Sequence, residues 1–208
     1  SSNKKDFYKW ILSDKYIAKK YANLLGFNIP KTYKITNDLN SINFLKLPNK
    51  YVIKPVDLCD GIGVYLMDNN INKINDKLTL SKEIINELKE IRKNDKMYYM
   101  YLNMFNGKIP FKGYIIEELL LDNNGNIPYD YKCYVFGGKL YYIAITYDRQ
   151  KTNIKSNGST YKTVWMTKDW KPILIPMSNK NYYYKNLPKP DNLNDIINLI
   201  EYTAKKLG

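Results

Sequence analysis

Tyr51-Val52-Ile53-Lys54-Pro55 decides how this chain is read, together with two later stretches that answer it, Tyr114-Ile115-Ile116-Glu117-Glu118-Leu119-Leu120 and Asp130-Tyr131-Lys132. Each sets charge on or beside a short apolar run of β type, and a charge taken out of water needs a partner or a ligand. Lys54 ends an apolar run ahead of Pro55, which withholds a backbone donor. Its stem can lie on apolar surface while its ammonium reaches a cleft. Two readings stand there: a compact cation for phosphate, or an edge-strand lysine turned to water. Glu117 and Glu118 are strand neighbours, so one of them faces inward. A structural salt bridge to a lysine across the sheet and a contact to a ligand amino group are equally open for it.

Around these stretches the chain supplies further polar groups. Cys59-Asp60-Gly61-Ile62-Gly63 follows the first strand, and its glycines would let backbone N–H groups approach phosphate oxygens closely. An ordinary β-turn explains two glycines as well, and the Gly-Lys-Ser/Thr ending of a Walker loop is missing. In Asp130-Tyr131-Lys132-Cys133-Tyr134-Val135-Phe136, period-2 alternation puts Asp130, Lys132 and Tyr134 on one face. With Tyr131, Cys133 and Val135 toward the core, Lys132 points the other way. Arg149 closes the following strand. Two cations on one hairpin face suit a γ-phosphate or an anionic acceptor, or are simply a solvated basic face.

At 208 residues the chain can bury a core as one domain or two small lobes. No apolar run approaches the ~20 residues of a membrane-spanning helix, and the start, Ser1-Ser2-Asn3-Lys4-Lys5-Asp6, is polar rather than signal-like. The expected location is the cytoplasm. Cys59 and Cys133 are too few for a zinc site or a disulfide framework. The absence of histidine excludes Ser-His-Asp chemistry and His metal ligation. Net charge +13 suits nucleic acid or an anionic surface. The lysines are spread along the whole chain, however, amid abundant Asn, Ile and Tyr, as in an AT-rich gene. A solubilising surface is the expected reading, and nucleic acid is not the expected partner.

Apolar spacing predicts helices over Phe7 to Leu25 with Ser13-Asp14 as a cap between them, over Ser81 to Arg92 with Ser81 as cap, and after Pro188-Lys189-Pro190. Gly26 stops the second helix. Strands are expected at Thr32 to Ile35, Tyr51 to Ile53, Val64 to Met67, Tyr114 to Leu121, Asp130 to Phe136, Lys139 to Tyr147, Tyr161 to Met166 and Pro172 to Ile175. Gly137-Gly138 signals a β-hairpin, while Asp68 to Asp76 and Ile154 to Thr160 read as loops. Tyr98 to Phe105 is ambiguous between helix and strand. The mixture of hairpins and helices predicts an α+β fold.

The ordered set Ser13-Asp14-Lys15, Leu47-Pro48, Tyr51-Val52-Ile53-Lys54-Pro55, Ile116-Glu117-Glu118-Leu119-Leu120 and Asp130-Tyr131-Lys132-Cys133-Tyr134-Val135-Phe136-Gly137-Gly138-Lys139 resembles the ATP-grasp superfamily, and within it the TupA-like group associated with teichuronopeptide and other cell-surface polysaccharide synthesis. Asp148-Arg149, the Trp165 to Trp170 stretch and Lys189-Pro190 continue the likeness over nearly the whole chain. The resemblance implies two α+β lobes gripping ATP in a cleft, with residues 1–45 as an N-terminal helical or linker region, 46–113 as the first lobe, and 114–208 as hinge and second lobe. It implies that Lys54 and Lys132 contact the phosphates, and that Asp60, Gly61 and Gly63 lie in a loop over them. Glu117 would accept from the adenine amino group, the backbone of Glu118 and Leu120 would read the ring edge, and Asp130 would join Lys132 in binding the cofactor. Arg149 would bind the reactive phosphate or the acceptor.

Family chemistry implies carboxylate activation through an acyl phosphate, with Mg2+ on the transferring phosphate and a small molecule or glycan as acceptor. Relatives usually continue past the last helix into strands bearing an Arg-x-Asp motif and a Glu that hold the metal. Here Ala204-Lys205-Lys206-Leu207-Gly208 stands where that segment should begin, so the chain is expected to be a truncated piece and no metal ligand is assigned. A non-catalytic nucleotide-binding scaffold and a basic polyanion-binding module are the alternatives to an enzyme.

Overall fold

The computed structural model describes residues 12, 14–59, 61–93, 113–151, 159–173 and 187–207. The chain divides into two compact units, Ser1–Leu121 with Asn153–Gly158, and Asp122–Thr152 with Ser159–Gly208. Helices and antiparallel sheets are mixed throughout, an α+β fold.

The first unit is built on a six-stranded sheet. Helix α1 (Lys15–Leu24) is followed by β1 (Thr32–Thr36), two 3-10 turns (Leu39–Ser41 and Phe44–Lys46), β2 (Lys50–Pro55), β3 (Tyr65–Asp68), β4 (Ile71–Asn72), β5 (Lys77–Leu78), α2 (Ser81–Lys93) and β6 (Tyr114–Glu118). The sheet order is β1-β6-β2-β3-β4-β5, so β6 returns between β1 and β2. Tyr114–Glu118 therefore belongs to the first unit's sheet, where the expected division at 113 opens the second lobe with it. The strand ends at Glu118, short of the expected Leu121.

Asp14 caps α1 as its position predicts. Its Oδ1 accepts from the N–H groups of Tyr16 at 2.8 Å and Ile17 at 2.9 Å, satisfying donors that a helix start leaves orphaned. The helix ends in a Schellman arrangement, Phe27 N donating to Ala22 O and Gly26 N to Asn23 O. Two expectations are corrected. Ser81 is the first residue of α2 rather than its cap; the side chain of Glu83 instead reaches back to the N–H of Leu80 at 2.7 Å, one half of a capping box. The Asn-rich stretch after Asp68 is not all loop, because Asn69 and Asn70 both adopt positive φ (49° and 65°) and join β3 to β4 as a two-residue hairpin. Asn tolerates that conformation better than most residues.

Alternation in β2 and β6 sorts the sheet's faces. Tyr51, Ile53, Tyr65, Met67, Tyr114 and Ile116 face one way and bury against Ile84 and Leu88 of α2, each buried aliphatic worth about 1.5–3 kcal/mol. Val52, Lys54, Ile115 and Glu117 face the other way.

The second unit is a three-stranded sheet, β7 (Asp130–Phe136), β8 (Lys139–Lys151) and β9 (Ser159–Thr167), in that order. The β7–β8 turn is Gly137-Gly138, both with positive φ, as the sequence signal requires. Helix α3 (Leu193–Leu207) covers one face, where Leu193, Ile197 and Ile200 meet Ile143, Ile145, Val164 and Met166. Pro172 forms a single bridge to Met166. The expected helix before Asp14, the ambiguous 98–105 segment and residues 154–158 of the expected 154–160 loop lie outside the described residues, while Ser159 and Thr160 open β9 instead of closing that loop.

Candidate functional site

Three lysines gather on the α1 side of the first sheet. Lys54 stands two residues after Val52, whose cross-strand partner is Glu117, so Lys54 and Glu117 are diagonal neighbours on one face. Of the two adjacent acids Glu117 is the one turned inward, 5% exposed. Its Oε1 is ion-paired with Lys54, and its Oε2 lies 2.6 Å from Lys19 Nζ. Lys19 and Lys15 are four apart on α1 and thus share a face of the helix. Lys15 is tied to the chain beyond β2 twice: its backbone N–H donates to Val56 O at 2.8 Å, and its ammonium donates to Leu58 O.

Burial, then the charge of Lys54, hold the Lys15 ammonium below its ordinary pKa. Burial pushes the Glu117 carboxyl up, but Lys54 and Lys19 outweigh it and leave the group below the usual glutamate value. Burial raises Asp14, whose Oδ2 is buried without a hydrogen-bond partner among the described residues. Asp57 is held by Arg92 through two bonds of 2.7 and 2.5 Å. Among the described residues, four cations (Lys15, Lys19, Lys54, Arg92) thus stand with three carboxylates (Glu117, Asp14, Asp57). A half-buried excess of positive charge invites an anion.

The loop from Val56 to Val64 borders this cluster. Gly61 and Gly63 have φ of +76° and +68°. Of the two, only Gly63 would also place a Cβ in tight contact, 3.0 Å from both Leu88 Cδ2 and Pro55 Cγ, so this glycine lets the loop lie against α2. Glu118 points outward, accepting from Lys31 N at 3.1 Å, and Leu120 is exposed just beyond the strand. Asp60 lies outside the described residues.

In the second unit, Cys133 and Val135 pack toward the core and Lys132 lies on the opposite face, paired in register with Ala144 and then Trp165. Asp130, opposite Thr146, and Tyr134, whose ring lies 5.1 Å from Trp165, share that face. Tyr131 alternates with them but is 41% exposed, its ring 6.4 Å from Trp170. Arg149 falls within β8 near an irregularity of its pairing with β9, and its side chain lies outside the described residues. The structure therefore brings Lys54 and Glu117 into one cluster and sets Asp130 and Lys132 side by side on the second sheet. Lys15 and Lys19 were missed as site residues. The available signal was their spacing of four directly after a helix cap.

A family model of TupA-like ATP-grasp proteins matches residues 2–207. The chain belongs to the TupA-like ATP-grasp family. No curated protein and no solved structure matches it significantly. Membership in the TupA-like family implies nucleotide binding and ATP-dependent, ligase-type chemistry, for which the family generally uses ATP and Mg2+. The lysine cluster suits the anionic half of ATP. No group of three or more acidic or cysteine side chains among the described residues is placed to hold a metal ion, so no residue is assigned to magnesium. No helix among the described residues is long and apolar enough to cross a membrane.

Proposed function

We propose that this TupA-like protein uses ATP to activate a carboxylate as an acyl phosphate, in the modification of a cell-surface polysaccharide or related glycan. The observation that carries the nucleotide reading is the buried Glu117 carboxylate shared by Lys54 and Lys19, with Lys15 beside them at the glycine-bearing loop. In this reading Lys54 and Lys15 take phosphate oxygens, and backbone N–H groups around Gly61 and Gly63 approach the same phosphates. Asp60 belongs to that loop. Glu117 accepts from the adenine amino group, and the backbone of Glu118 and Leu120 meets the ring edge. Lys132, next to Asp130, and Arg149 stabilise charge on the transferring phosphate and orient the carboxylate that attacks it. The attack forms the acyl phosphate and releases ADP. A nucleophile of the acceptor then displaces phosphate. These roles come from the family resemblance and, for Lys15, from its place in the cluster.

Thermal unfolding with and without Mg-ATP, on the parent and on Lys54→Ala, tests the nucleotide reading. Ligand at ~100 times its dissociation constant adds about 2.7 kcal/mol, which at roughly 2–4 °C per kcal/mol for a chain of this size is a rise of about 5–11 °C. A rise in the parent that Lys54→Ala abolishes is expected. An equal rise in both would remove Lys54 from the site.

A further inference from the structure

Lys19 occupies a position that nothing in the proposed chemistry uses. Its ammonium lies 2.6 Å from Glu117 Oε2, and its side chain is only 10% exposed, against 23% for Lys54. It is the more enclosed of the two lysines on that carboxylate. Glu117 is thus a divided partner, one oxygen for each lysine. Removing Lys19 would leave the whole carboxylate charge to Lys54, and a lysine so committed attracts a phosphate less strongly.

We infer that Lys19 is a positioning residue for anion binding: by holding Glu117, it leaves Lys54 with charge to give to a polyphosphate. The inference rests on the nucleotide reading above. It deepens that reading by making the pair of Lys19 and Glu117 the setting on which the affinity of Lys54 depends. The local count agrees with it. Among the described residues four cations and three carboxylates leave one positive charge over, Lys19→Met removes one positive charge, and adding Glu117→Gln restores the balance.

That restoration is the test. Binding of Mg-ATP and of inorganic tripolyphosphate, which has no base for Glu117 to meet, is measured by calorimetry on the parent, Lys19→Met, Lys19→Arg, Glu117→Gln and the Lys19→Met/Glu117→Gln pair. Unfolding midpoints confirm that each variant is folded. Lys19→Met weakens tripolyphosphate about tenfold, within the range of coupling seen between touching charges. Lys19→Arg stays near the parent, and the double variant recovers to within ~3-fold of it. A purely structural role would move the unfolding midpoint of Lys19→Met without recovery of affinity in the double variant, and that result overturns the inference. So does a double variant as weak as Lys19→Met, which would make Lys19 a direct phosphate ligand. Should Lys19→Met fail to fold, the double variant decides alone: parent-like affinity supports the inference, and loss overturns it. A parent that binds neither probe overturns the nucleotide reading itself, and the inference with it.

Discussion

Glu117 shows how much one inward-turned residue can carry. Its two lysine partners hold its carboxyl below the ordinary value of 4.5 despite burial that pushes the other way. Because the folded-state value is the lower one, the unfolded chain binds a proton more readily than the folded protein does. The contribution to stability is therefore complete above roughly pH 5 and is lost as pH falls through the lowered value. Urea unfolding at pH 7 and at pH 4 checks this: Glu117→Gln should be less stable than the parent at pH 7, by about 1–3 kcal/mol given partners that water can partly reach. The gap between the two should narrow at pH 4. A constant gap would mean that folding leaves the Glu117 carboxyl unshifted and that the two lysines do not lower it. This residue was half legible in the sequence. An acid at the end of Tyr114-Ile115-Ile116 had to meet a cation or a ligand, but which lysine across the sheet it meets depends on strand order, so Lys54 could not be named. Lys19 could not be named, because it reaches Glu117 from 98 residues away and a helix position alone does not say which strand a helix covers.

At the scale of elements, the loop from Val56 to Val64 is set by what it touches. Arg92, in the last turn of α2, grips Asp57 with two bonds, donates to Gly113 O at 3.2 Å and lies over the Tyr114 ring. A helix end, a loop and the start of β6 are thereby tied at one point. Gly63 closes the loop's far side against Leu88 and Pro55. Gly61→Ala meets open space and bears only the strain of its φ, roughly 1–2 kcal/mol. Gly63→Ala adds tight contacts with Leu88 and Pro55 to that strain and should cost about 2–4 kcal/mol. Chemical denaturation separates them, and equal costs would mean that the loop is not packed on α2 as described. Hairpins were the most readable elements, because Gly137-Gly138 states its turn geometry locally. The β3–β4 hairpin was read as loop because Asn69-Asn70 carries the same geometry in residues that are common in loops as well. The return of β6 between β1 and β2 was not legible at all. Strand order depends on pairing across long separations, and no local pattern records it.

For the whole molecule, the question is whether +13 of net charge or one enclosed cluster governs what the protein binds. Surface lysines scattered over the chain attract any polyanion, and that attraction rests on released counterions. It falls steeply with salt and fades beyond a Debye length of ~8 Å at physiological ionic strength. Lys19, Lys54 and Glu117 are largely shielded from water, so their pull on a phosphate is screened far less. The two modes separate in one titration. The midpoint rise given by saturating Mg-ATP is expected to persist at 0.5 M salt, where the Debye length has fallen from ~30 Å in dilute buffer to about 4 Å, whereas retention of a labelled single-stranded oligonucleotide should drop by a thousandfold or more over the same range if ~6 phosphates are contacted. Loss of both signals together would assign ATP to the general basic surface and favour the polyanion-binding alternative. Persistence of the ATP signal alone assigns it to the cluster, because only a site closed to counterions keeps its affinity when salt replaces them.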